Sequence, residues 1–110
     1  MSWPLARGQV VLANIPGPDE PKLYVVVSNN RRNQKLPQVL AARLTTTPKP
    51  PLPSVVPLEH PERFSGFVVC DDIVEIYQDE VIRLEGALGA STMSEVSHGL
   101  AAALDIPIRG

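Results

Sequence analysis

The chain has 110 residues, of which 44% are hydrophobic and 20% charged, and its formal net charge is −2. That is the composition of an ordinary globular protein with room for one domain, residues 1–110, and a modest core that a partner subunit would help to stabilise. The single Cys70 excludes a disulfide within the chain, no apolar run approaches the length of a membrane span, and the start "MSWPLARGQ" lacks the apolar core of a signal peptide, so a soluble cytoplasmic protein is expected.

Proline is abundant, at 12 residues, and aromatics are scarce, at 5%. That pairing points to short strands joined by stiff loops. In chain order, residues 9–13 read as a first strand, and "NIPGPDEP" (14–21) is a loop punctuated by Pro and Gly. Residues 22–28, "KLYVVVS", carry the strongest strand signal, three valines beside a tyrosine. "NNRRNQKLP" is a polar loop whose asparagines suit tight turns, and residues 38–45 form a third strand. "TPKPPLP" is an extended, stiff loop, and "SVVPL" is a short strand whose Pro57 makes it an edge. "GFVVC" (66–70) and "IVEIY" (73–77) read as two more strands, while "QDEVIRLEGALG" fits a short helix or a strand equally well.

At the tail, Thr92 and Glu95 match a capping box, and Met93, Val96, Leu100, Ala103 and Leu104 fall on one helical face that ends at Asp105 and Pro107. Five to seven short strands and one C-terminal helix, with no long helices between the strands, argue against a doubly wound α/β fold. The expected fold is mainly β: a small, strongly bent antiparallel barrel with a helix packed on it.

The charges are unevenly placed. Between Pro21 and Leu58 lie Lys22, Arg31, Arg32, Lys35, Arg43 and Lys49, with no Asp or Glu. A solvated face is one reading of such a run, and a face that meets a polyanion is the other. Metal ligation is not expected, because His60 and His98 are far apart in sequence and there is one cysteine. No glycine-rich phosphate cradle and no nucleophile elbow is present, and no cofactor is expected.

Chemistry here would have to run on cations and hydroxyls. Strand periodicity puts Ala41, Arg43, Thr45 and Thr47 on one face of the third strand, and Leu40, Ala42, Leu44 and Thr46 on the other, core-facing one. On the second strand Lys22, Tyr24, Val26 and Ser28 share a face. If the two strands are neighbours, Lys22, Tyr24, Arg43 and Thr45 line one groove, where cations would hold a phosphate and a base would stack on Tyr24. Ordinary β-forming threonines on a solvated face are the plainer alternative.

Residues 7–15, "RGQVVLANI", resemble the opening of the MazF/PemK toxin family, in which an Arg-Gly pair leads the first strand. "KLYVVVSNN" resembles that family's second strand, "VLAARLTTT" its third, and "GFVVCDDIVEI" and "GALGASTMSEVSHGLAAAL" its later strands and C-terminal helix. The resemblance runs in order from about residue 7 to 107. It implies an SH3-like barrel and a homodimer. It also implies metal-independent cleavage of single-stranded RNA, by attack of the ribose 2′-hydroxyl on the adjacent phosphate, leaving a 2′,3′-cyclic phosphate and a 5′-hydroxyl. A cognate antitoxin with a disordered, acidic tail that folds on binding is implied as the second partner.

By the same resemblance, the threonine that ends the third strand carries over to Thr45, with Thr46 in the place of a commonly polar neighbour. The family's catalytic arginine, normally in an Arg-Pro pair, falls where this chain has Lys22-Leu23. Lysine keeps the charge and loses the planar fork that grips a phosphate with two bonds. Arg43, on the face of Thr45, is therefore expected to supply the missing stabilisation, with Lys22 as the second cation. Ser28, Thr46 and Thr47 are expected beside the RNA, and Arg31, Arg32 and Lys35 are expected to track its backbone. Two other readings stay open: a CcdB-like poison of DNA gyrase on the same barrel, and a catalytically weakened member that only binds its antitoxin.

Overall fold

Alternating apolar residues pair into one antiparallel sheet in the structure, a computed structural model that describes residues 2–108. The strands are β1 (Gln9–Ala13), β2 (Lys22–Val26), β3 (Gln38–Thr45), β4 (Val55–Leu58), β5 (Gly66–Tyr77) and β6 (Val81–Ala87), in the spatial order β4-β5-β3-β2-β1-β6. A one-turn helix, α1 (Asn30–Asn33), follows β2, and a long helix, α2 (Ala90–Leu104), closes the chain. The mainly β fold with a C-terminal helix is as expected, but β4 and β6 are free edges, so the expected barrel is a bent, open sheet.

Two expected strands are one. β5 runs unbroken through "CDD", but its register against β3 jumps: Arg43 faces Val69 while its neighbour Ala42 faces Ile73. Residues 70–72 form the bulge, which bends β5 so that its first half pairs with β4 and its whole length with β3. The ambiguous stretch after β5 resolves into a short 3-10 turn, Gln78–Glu80, and β6.

The bending creates two cores, one on each face. Val10, Val25, Ala42, Leu44, Val56, Val68 and Cys70 pack against Met93 and Val96 of α2. On the other face Val11, Tyr24, Val26, Val39, Ala41 and Ile76 are covered by Leu5 and Ile15, with Trp3 packed alongside. α2 sits close because Gly99 has no side chain: a Cβ there would lie 2.8 Å from Cys70 Sγ and 3.0 Å from Val56 Cγ2. Arg7 staples the same helix to the residue that follows β2, donating from Nε to Val27 O (3.1 Å) and from Nη2 to Ser97 Oγ (2.7 Å).

The ends of α2 correct one expectation. The helix starts at Ala90, with Gly89 as N-cap and no side-chain cap, so the Thr92–Glu95 capping box is not used. Glu62 acts from another loop instead, accepting the Gly89 N–H at 2.7 Å, where a carboxylate suits the positive helix end. The stop at Asp105 is as expected, in a left-handed cap (φ 55°) whose following residue, Ile106, donates to Ala101 O.

Candidate active site

β2 and β3 are neighbours, with Tyr24 opposite Arg43 and Val26 opposite Ala41. Continued by two residues, that register sets Lys22 beside Thr45. Here the shared face of the two strands opens into a cavity of about 230 Å³ lined by Lys22, Arg43, Leu44, Thr45, Thr46, Thr47 and Ser65. Five of the expected site residues thus meet in one place: Lys22, Arg43, Thr45, Thr46 and Thr47. Thr46 corrects its expected orientation, since the chain leaves the strand at Thr45 and Thr46 is exposed at the rim. Among the described residues the wall itself bears cations and hydroxyls, with no carboxylate, imidazole or thiol, and Glu20 meets it only at the rim.

Two of these groups are already oriented. Thr47 N–H donates to Thr45 Oγ1 at 3.1 Å, a local turn that occupies one lone pair of the hydroxyl and leaves its O–H free to donate. Arg43 is half-buried, and its Nε is buried without a hydrogen-bond partner among the described residues. Such an unmet buried donor costs about 1–3 kcal/mol, and since Nε is itself shut off from solvent an acceptor reaches it only after the side chain moves. Lys22 is engaged at the rim by Glu20, Nζ to Oε1 at 3.0 Å, in a pair whose side chains are 27% and 73% exposed. Exposed pairs of this kind are weak and exchangeable.

Tyr24 is not available to a ligand: it is 1% exposed, inside the second core. Burial pushes its phenol above the usual range, the Arg43 charge partly offsets that, and Asp72 adds to it. The sequence reading assumed one buried face per strand, and the bent sheet buries both. Ser28 is corrected for the same reason. It is buried, donates to Asn33 Oδ1, and accepts from Leu40 N at 2.9 Å, while Asn33 Nδ2 donates to Ser28 O at 3.0 Å. Ser28→Ala is expected to lower stability by about 1–3 kcal/mol through the stranded partners, read as an earlier urea midpoint. A Ser28→Ala protein of unchanged stability but weakened ligand binding would restore the sequence-based role.

The basic loop is also elsewhere. Arg31, Arg32 and Lys35 lie on or just after α1, at the far end of β2, about 20 Å from Lys22 at strand rise. Arg31 and Lys35 are exposed, whereas Arg32 spends its Nη1 on Gln38 O (2.9 Å). None of them lines the cavity. Of the groups set aside, His60 and His98 are exposed, His98 with Nδ1 at 2.9 Å from Ser94 O. Cys70 is buried with its thiol pushed up to about 11 by burial and then by Asp71, which makes it a poor nucleophile. The sequence reading missed Ser65. Its only signal was "SG" ahead of a strand, a pattern that any tight corner shares.

Comparison with known proteins identifies the family of the chain. Residues 6–104 match the family described as PemK-like, MazF-like toxin of type II toxin-antitoxin system. The chain is 35% identical over 107 residues to Endoribonuclease MazF1 of Mycobacterium bovis, covering 97% of this chain and 98% of the relative. Among solved structures it is similar to an endoribonuclease in complex with its cognate antitoxin from a mycobacterial species, with a TM-score of 0.86, 32% identity and coverage of 96% and 99% of the two chains. The fold is shared more distantly with MazF in a MazE–MazF crystal structure from Deinococcus radiodurans, with a TM-score of 0.76, 21% identity and coverage of 94% and 99%. The open sheet with its C-terminal helix, and a match that spans nearly the whole chain, make this protein a member of the PemK/MazF toxin family of type II toxin-antitoxin systems.

Proposed function

We propose that the protein is an endoribonuclease toxin that cuts single-stranded RNA in the pocket between β2 and β3, without a metal ion. The observation that carries this reading is a single pocket that gathers Lys22, Arg43 and the hydroxyls of Thr45, Thr46, Thr47 and Ser65. A phosphodiester is the ligand that such a wall fits: it brings acceptors to the free guanidinium and charge to both cations. A divalent ion would meet two cations in this wall, and the one carboxylate beside them, Glu20, is already engaged by Lys22.

In the proposed reaction the ribose 2′-oxygen attacks the adjacent phosphorus and loses its proton to solvent. The bond from phosphorus to the 5′-oxygen breaks, and that oxygen is protonated as it leaves. The products are a 2′,3′-cyclic phosphate and a 5′-hydroxyl. Charge builds on the phosphoryl oxygens in the transition state, where Arg43 and the Thr45 O–H donate to them. Lys22 supplies the second positive charge and is the proton donor on the leaving side. Its ion pair with Glu20 opens when the more highly charged RNA backbone arrives. Thr46, Thr47 and Ser65 hold flanking atoms of the chain, and Arg31 and Lys35 serve a long RNA only as distant, salt-sensitive contacts.

The partners follow from the same reading. A cognate antitoxin with an acidic segment would compete with RNA for Arg43 and Lys22. A homodimer would cover apolar side chains that the free chain exposes at its β6 edge, Ile82 (49%) and Leu84 (40%). No helix among the described residues is long and apolar enough to cross a membrane, and we place the activity in the cytoplasm, where RNA is.

The test is digestion of a long single-stranded RNA in excess EDTA, with mapping of the new 5′ ends. Discrete cuts bearing 5′-hydroxyls are expected. Intact RNA from a folded, antitoxin-free protein would overturn the reading, and gyrase inhibition by that protein would replace it.

A further inference from the structure

We infer that the Ser65–Gly66 corner is part of the active site, with Gly66 positioning Thr45 and Ser65 contacting the RNA; this rests on the endoribonuclease reading above. Gly66 opens β5 with φ +96°, a conformation that side-chain-bearing residues rarely adopt. The space is tighter still than the angle. A Cβ at Gly66 would lie 2.2 Å from Thr45 O, 2.9 Å from Thr45 C and 3.0 Å from Thr46 Cα. All three obstacles are backbone atoms, so a side chain at 66 cannot be accommodated by a rotamer change. It has to displace the peptide that joins Thr45 to Thr46.

That peptide sets the reactive hydroxyl. It leads into the turn in which Thr47 N–H fixes Thr45 Oγ1. The position of Thr45 is therefore held from outside its own strand, by the start of β5. The corner is itself anchored on the preceding side. Phe64 is 9% exposed and sits in the core, the Arg63 guanidinium lies 4.9 Å over its ring, and Glu62 is tied to the start of α2. The next residue, Ser65, is carried into the pocket wall with Lys22 and Arg43.

Lys22 and Arg43 do not depend on this peptide, since Lys22 is placed by its pairing with Ala13 of β1 and Arg43 by its pairing with Tyr24 of β2. A shift at Thr45 should then slow the chemical step and leave RNA binding nearly intact. A misplacement of about 1 Å at a reacting group costs on the order of 100-fold in rate. A glycine needed only for folding would instead lower the folded fraction, with kcat per folded molecule and KM unchanged.

The experiment compares Gly66→Ala, Ser65→Ala and Gly17→Ala with the unaltered protein. Gly17 is the control for backbone strain alone: it has φ +115°, a Cβ added there would meet nothing within 4 Å, and it lies outside the pocket. Folding is read by circular dichroism and thermal unfolding, cleavage by kcat and KM, and affinity with an RNA carrying a 2′-deoxy nucleotide at the cut site. Expected are near-normal kinetics for Gly17→Ala, a kcat about 100-fold lower at an affinity within threefold for Gly66→Ala, and a severalfold loss of affinity for Ser65→Ala. A folded Gly66→Ala protein with normal kcat overturns the positioning role. If Gly66→Ala does not fold, Ser65→Ala decides alone: unchanged affinity and kcat remove the corner from the site. Failure of the unaltered protein and Gly17→Ala to cut RNA counts against the endoribonuclease reading itself, whereas loss in neither corner variant beside an active parent counts against this inference only.

Discussion

Thr45→Ala is expected to bind single-stranded RNA nearly as well as the unaltered protein and to cut it at least about 100-fold more slowly. The cations that attract the backbone, Arg43 and Lys22, sit on β2 and β3 and do not need the Thr45 side chain to hold them. What the substitution removes is a hydroxyl in the pocket wall that already accepts from Thr47 N–H and still has its O–H free to donate. It is an interaction worth most when charge accumulates on the phosphoryl oxygens, so the loss belongs in kcat. Thr45→Ser keeps both the turn and the proton and should retain most of the rate. Single-turnover cleavage alongside filter binding separates the two effects. Equal losses of affinity and rate in Thr45→Ala would mean that Thr45 serves only to bind.

Arg43→Ala is expected to cost more than Lys22→Ala, on the order of 10²- to 10³-fold in kcat/KM. The reason lies in what each cation is doing before RNA arrives. Lys22 is half-buried like Arg43, but its charge is already engaged by Glu20 in the free protein, so less of its interaction energy is new to the bound state. Arg43 is half-buried with a donor that meets nothing in the free protein, which concentrates its interaction energy on the bound state. Arg43→Lys keeps the charge and loses the planar fork, and it should recover only part of the rate. Kinetics of the three variants at two salt concentrations check this. An Arg43→Ala protein with full activity would end its role and return the arginine's function to Lys22 alone.

Both effects depend on the pocket being at one end of β2 and β3 and closed off at the other. That asymmetry was not legible in the sequence. The alternation of Lys22, Tyr24 and Val26 correctly put the three on one face, but it carries no information about what covers each part of that face. Leu5 and Ile15 cover Tyr24 and Val26 from a distant segment, and only Lys22 is left beside open space. Tyr24 was a stacking platform by pattern and is a core residue by packing.

The polar loop after β2 shows the same limit from the other side. Its composition said surface and charge, and Arg31 and Lys35 are indeed exposed. Composition did not show that Asn33 turns inward to satisfy Ser28, or that the loop lies a strand's length from the pocket. Similarly, the Thr92–Glu95 pattern is a sound local cap, and a carboxylate from residue 62 displaced it by supplying the same charge at an earlier residue.

By itself the sequence determined β1 to β4, the strand character of both halves of β5, the edge character of Pro57, the C-terminal helix, and the placement of Lys22, Arg43 and Thr45 on β faces. These follow from side-chain period, proline geometry and residue chemistry, all of which act over a few residues. The tertiary structure alone decided which part of that face is open, that Arg43 keeps an unmet donor, and that Gly66 sets the peptide after Thr45. Those features arise from contacts between segments remote in the chain, and they depend on a bulge in β5 and a bent sheet that buries both its faces.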